Sequence, residues 1–112
     1  MQDQFIAVDV ETANPDLASI CQVGIVTFTN GEPCCPWESL INPQDYFDPW
    51  NVAIHGIGED DVANAPAFPQ VFPTLHNLLA HHVVVSHMPF DKLALGRAAE
   101  RYGWTSPGFV DT

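Results

Sequence analysis

Asn30 and Gly31 lie between two runs of strand-forming residues, "SICQVGIVTF" before them and "EPCCPWESLI" after. An Asn-Gly pair readily takes the two positive φ angles of a two-residue turn, so it commits its flanks to adjacent antiparallel strands. Pro33 and Pro36 cannot donate to a ladder, which assigns the second run to a sheet edge. Upstream, "QFIAVDVE" reads as a further strand whose near-continuous apolar centre is of the kind buried on both faces. With 112 residues, the chain has room for one domain and one modest core.

Beyond the hairpin, "NPQDYFDPWNVAIHGIGEDDVANAPAF" is a Pro-, Asn- and Gly-rich connection long enough to suggest function. It is expected to hold short helices around Trp50–Ile54 and Glu59–Ala63. Val71, Phe72, Leu75, Leu78 and Leu79 recur at helical spacing, with Pro69 and Pro73 in or near the first turn. "HVVVSH" reads as a short buried strand, and "PFDKLALGRAAERYG" as a helix opened by Pro89 and closed by Gly103. "GFVDT" begins another strand. The order β-β-β-α-β-α-(β) predicts an α/β fold, a mixed sheet with flanking helices.

Three basic residues stand against fourteen acids, a net charge of −11. That is the reverse of the footprint of a protein gripping long nucleic acid, so an anionic substrate has to be held by something other than a basic surface. Bound divalent cations can do this locally. No apolar run is long enough to cross a bilayer and "MQDQF" lacks the basic start of a secretory signal, so a cytoplasmic protein with no membrane association is expected. Cys21, Cys34 and Cys35 agree with a reducing compartment. Adjacent cysteines seldom bridge, and this pair is expected to be buried or half-buried on its strand.

Two acids, Asp9 and Glu11, end the first strand. Residues i and i+2 point to one face roughly 6.5 Å apart, which is unfavourable for like charges unless they are protonated or share cations. Carboxylates suit Mg²⁺ and Mn²⁺, and two such ions about 4 Å apart can share one bridging carboxylate. Alternatively, the pair simply faces solvent past the buried part of the strand. A third acid, Asp91, falls on the stripe Asp91, Ala94, Leu95, Ala98 and Tyr102, the core-facing side of the last helix. An Asp in a first turn often just complements the helix dipole, yet this one also follows a strand's carboxyl end, where α/β proteins build their sites.

"FIAVDVET", "ICQVGIVTF", the loop containing "HGI" and "VVVSHMPFDKLAL" together resemble the DEDD-superfamily 3′-to-5′ exonucleases, of the type of the DNA polymerase III proofreading subunit. The resemblance spans nearly the whole chain. It implies a ribonuclease H-like fold and assigns Asp9, Glu11 and Asp91 as catalytic carboxylates holding two Mg²⁺ or Mn²⁺ ions. It also implies that Thr12 helps seat a terminal nucleotide, and that Ile54, His55 and Gly56 line its sugar and base. Phe90 is a further candidate wall of that pocket. The implied substrate is the 3′ end of single-stranded DNA or RNA.

The family's third motif, a His followed five residues later by a fourth Asp, has no counterpart, since no histidine follows His87. Met88 also replaces the usual Asn of the second motif. The expectation is a C-terminally incomplete exonuclease-type domain over residues 1–112, holding its N-terminal and central part, with little activity by itself. Self-association through uncovered apolar surface is expected with it. The rival expectation is a non-catalytic binding or interaction module that keeps the fold and meets a basic partner through its acidic surface.

Overall fold

The computed structural model describes residues 4–80, 82–86, 90–103 and 110–111. Its sheet has five strands in the order β3-β2-β1-β4-β5, formed by β1 (Gln4–Thr12), β2 (Ile20–Thr29), β3 (Glu32–Leu40), β4 (Val83–Ser86) and β5 (Val110–Asp111). β1, β2 and β3 are antiparallel neighbours, whereas β4 runs parallel to β1 and β5 parallel to β4. The helices are α1 (Pro49–His55), α2 (Phe68–Leu79) and α3 (Phe90–Arg101), with a 3₁₀ turn at Glu59–Val62.

The hairpin forms as the Asn-Gly pair predicts. Asn30 (φ 52°) and Gly31 (φ 83°) supply the two positive angles of a type I′ turn, and Thr29 pairs with Glu32 across it. The proline-bearing strand is an edge strand. Pairing passes from Ile25↔Trp37 to Thr27↔Cys34, so β3 bulges at Cys35 and Pro36, where a missing donor costs little. Cys34 and Cys35 are exposed on this bulge and bonded to each other. This corrects the expectation of an unbridged, half-buried pair: the left-handed backbone at Cys35 (φ 58°) accompanies a bridge between adjacent residues.

A second correction concerns β1. Ile6, Val8, Val10 and Thr12 are buried, while Phe5, Ala7 and Glu11 are half-buried and Asp9 is exposed. The strand therefore alternates instead of burying both faces. The core lies on one side of the sheet, where Ile6, Val8, Val10, Val23, Ile25 and Val84 meet the buried faces of α2 and α3. α2 contributes Phe68, Val71, Phe72, Leu75 and Leu79; α3 contributes Ala94, Leu95, Ala98 and Ala99. Pro69 stands in the first turn of α2, but Pro73 is inside the helix and exposed, so the bond lost there falls on the solvent side. Pro89 and His87, expected at the start of α3 and the end of β4, lie outside the described residues. Among the described residues no helix is long and apolar enough to cross a membrane.

Candidate active site

The alternation of β1 sends Asp9 and Glu11 to the face opposite the core. Asp9 has Gly24 as its cross-strand neighbour, and without a side chain there the carboxylate stays open to solvent. An open cavity of about 740 Å³ adjoins it, lined in part by Ala7, Asp9, Gly24, Val26 and Val85. Glu11 is half-buried. Its carboxyl is held above the ordinary carboxylate range, first by burial and next by the neighbouring Asp9 charge. The nearby His55 ring opposes the rise, and Asp91 adds to it. Three carboxylates thus share one electrostatic neighbourhood, and the half-buried one resists ionising there.

Asp91 reaches this neighbourhood from the core side. It is 1% exposed, and its Oδ1 accepts a hydrogen bond from the Val10 amide at 3.0 Å. β4 pairs with β1 only as far as Val8↔Ser86, so an α3 carboxylate takes up the amide beyond the ladder's end. The bond ties the first turn of α3 to β1 between Asp9 and Glu11. Among the described residues, no group of three or more His, Cys, Asp and Glu side chains is gathered closely enough to hold a metal ion. The structure brings the three predicted acids into mutual influence without closing them into a ligand cage. Their all-oxygen chemistry suits a hard divalent cation, and such a cation would relieve the repulsion that adds to the effect of burial at Glu11.

The "HGI" segment is placed by α1. Asp48 caps this helix by accepting from the Trp50 amide at 2.8 Å, Pro49 occupies its first turn, and Gly56 (φ 75°) ends it in the left-handed conformation. His55 Nδ1 accepts from the Ile57 amide at 3.0 Å, which leaves Nε2 as the protonated nitrogen, donating to the Thr12 carbonyl at 2.8 Å. With both nitrogens engaged, His55 is a neutral fastener rather than a base. Asn51, one turn earlier, donates from Nδ2 to the Thr12 carbonyl and hydroxyl, each at 3.3 Å. Thr12 itself is buried.

Ile54 is 67% exposed, and Phe90 packs against the hydrophobic core. Cys21 is buried beneath His55, its Sγ 4.0 Å from Nε2. Burial, with the Glu11 charge second, pushes its thiol up to about 12, so it stays neutral. Asn51 and Trp50 escaped the sequence reading. The i, i+4 spacing of Asn51 and His55 was the available signal for a shared helix face.

A family model described as Exonuclease matches residues 6–103. The chain is 28% identical over 116 residues to a PolC-type DNA polymerase III of Oceanobacillus iheyensis, a match covering 99% of this chain and 8% of that protein. Exonuclease X, solved in complex with 5′ overhanging duplex DNA, is 26% identical with a TM-score of 0.65, over 74% of this chain and 48% of that one. Exonuclease I, solved with SSB and an inhibitor, aligns over all of this chain and 28% of its own, with a TM-score of 0.86 at 15% identity, a likeness of fold. The chain spans well under two thirds of each. By its family match and its ribonuclease H-like sheet, it belongs to the exonuclease family, in the DEDD superfamily its motifs resemble.

Proposed function

We propose that this chain is part of a metal-dependent 3′-to-5′ exonuclease that removes nucleotides from the 3′ end of single-stranded DNA or RNA. The observation that carries the reading is that the Glu11 carboxyl, raised first by burial, also feels the charges of Asp9 on β1 and Asp91 on α3, with Asp91 fixed on the Val10 amide. These three residues would hold Mg²⁺ or Mn²⁺. Two bound ions would supply an activated water and stabilise the leaving oxygen. Asp91 is positioned for its part before any cation arrives, because its backbone bond fixes the rotamer. Asp9, the exposed member, is the one open to solvent and substrate. His55 and Asn51 fasten the α1 loop to Thr12, holding the proposed nucleotide-lining residues Ile54 and Gly56 beside the acidic end of β1. Thr12 would seat the terminal nucleotide through its immediate surroundings, its hydroxyl already accepting from Asn51.

None of the histidines in the described residues serves as a base here. His55 is spent on two backbone groups, His76 lies against Phe72 on α2, and His82, its Nδ1 buried without a partner, precedes β4 at the Ile6 end of β1, away from Asp9 and Glu11. The 112 residues alone should therefore cleave slowly. Incubation with Mn²⁺ and a 5′-labelled single-stranded oligonucleotide should give slow stepwise shortening that Asp9→Ala abolishes. Shortening of equal strength in Asp9→Ala would refute the assignment. Binding of the oligonucleotide without any metal-dependent cleavage would favour the non-catalytic module, consistent with the open arrangement of the three acids.

A further inference from the structure

The unclaimed feature nearest the site is an apolar pair on α1. Trp50 is 74% exposed and Ile54 67% exposed, although they are among the costliest side chains to leave in water. They stand at i and i+4, on one helix face. The adjacent face carries Asn51 and His55, which fasten the helix to Thr12. The exposed pair is thus held rigidly beside the carboxyl end of β1, one residue beyond Glu11.

Charge narrows what can rest on it. The only three basic side chains, Lys92, Arg97 and Arg101, all stand on α3, and Arg101 is held by Asp16 at 3.0 Å and Asp45 at 3.1 Å. A phosphate backbone finds little on this molecule to neutralise it. Bases, by contrast, are uncharged, and an aromatic face binds any of them by stacking, whatever their sequence. We propose that Trp50, backed by Ile54, is a stacking platform for an unpaired base of the strand whose end enters the site. This inference rests on the exonuclease reading and adds to it the means of holding the strand: base faces rather than phosphates, with a preference for unpaired over duplex ends. A base inside a duplex is already stacked and offers its face to neither residue.

The test is fluorescence anisotropy of 5′-labelled single-stranded oligonucleotides with Ca²⁺ in place of Mn²⁺, comparing wild type, Trp50→Ala and Trp50→Phe. Trp50→Ala should weaken binding about tenfold, as loss of one stacked base does, while Trp50→Phe stays within about threefold. An abasic position near the 3′ end should weaken wild type by a similar factor and Trp50→Ala no further. Binding should also change little between 50 and 200 mM salt, because few phosphates are neutralised. Unchanged affinity in Trp50→Ala overturns the platform, as does a loss of self-association in that variant with nucleic-acid binding intact. Cleavage that survives Asp9→Ala instead overturns the catalytic assignment and leaves the platform standing. A wild-type chain that binds no oligonucleotide overturns both.

Discussion

At the residue scale, the acids divide into one that is open, one whose ionisation is opposed by burial and by its neighbours' charges, and one built into the fold. Asp91 belongs to the last kind, and its two oxygens make the point testable. Asp91→Ala leaves the buried Val10 amide without its acceptor and should cost about 1–3 kcal/mol, visible as a lowered urea midpoint. Asp91→Asn keeps a carbonyl for that amide, so it should retain most of the stability while losing metal-dependent activity. Glu11 titrates with the opposite consequence. Its folded pKa lies above the ordinary 4.5, so its protonated form favours the fold, a contribution present below the unfolded value and lost as pH rises through the raised one. The metal-free Glu11→Gln variant should therefore be more stable than wild type at pH 7. The two stability curves should converge below about pH 4. A constant gap across that range would contradict the raised Glu11 carboxyl.

At the scale of elements, the hairpin and α1 show how much the sequence determines and where it stops. Asn30 and Gly31 made the hairpin readable, because a type I′ turn depends on those two residues alone, and Pro33 and Pro36 made the edge position of β3 readable, because neither can donate to a ladder. The stripe through Asp91, Ala94 and Leu95 likewise read as core-facing, because helical periodicity is local. The apolar run in β1 misled for a physical reason. Phe5 and Ala7 look like core residues, but whether a face is covered depends on what packs against it, which is not local. Phe5 stacks on Phe28 with centroids 4.9 Å apart, a cross-strand shelter rather than an interior. The Val10–Asp91 bond was illegible for the same reason, since it spans 81 positions. Gly56 carries a further prediction: at φ 75° its backbone amide bonds Val52 O at 2.7 Å and ends α1. Gly56→Ala should cost about 1–2 kcal/mol, read as a lower melting temperature and faster amide exchange in α1.

At the scale of the whole molecule, the longer helices pack on one side of the sheet. α2 and α3 cover the face of Ile6, Val8 and Val23, whereas Phe5, Ala7, Val26, Phe28, Val83 and Val85 stay half-buried on the face that carries Asp9. An apolar sheet face of this kind favours association, while fourteen acids against three bases oppose it. Sedimentation should therefore show self-association that increases with protein concentration and with added salt, which screens the repulsion. A strictly monomeric chain at high concentration and high salt would contradict this.

The same acidity bears on the proposed role of Asp9, Glu11 and Asp91 as the shared seat of a hard divalent cation. Electron paramagnetic resonance of Mn²⁺ titrated into the protein measures that directly, without need of substrate or cleavage. Wild type should bind Mn²⁺ with an affinity that falls at least tenfold in Asp9→Ala and Asp91→Asn, and that declines as pH falls and Glu11 protonates. Equal Mn²⁺ affinity in wild type and both variants would contradict it.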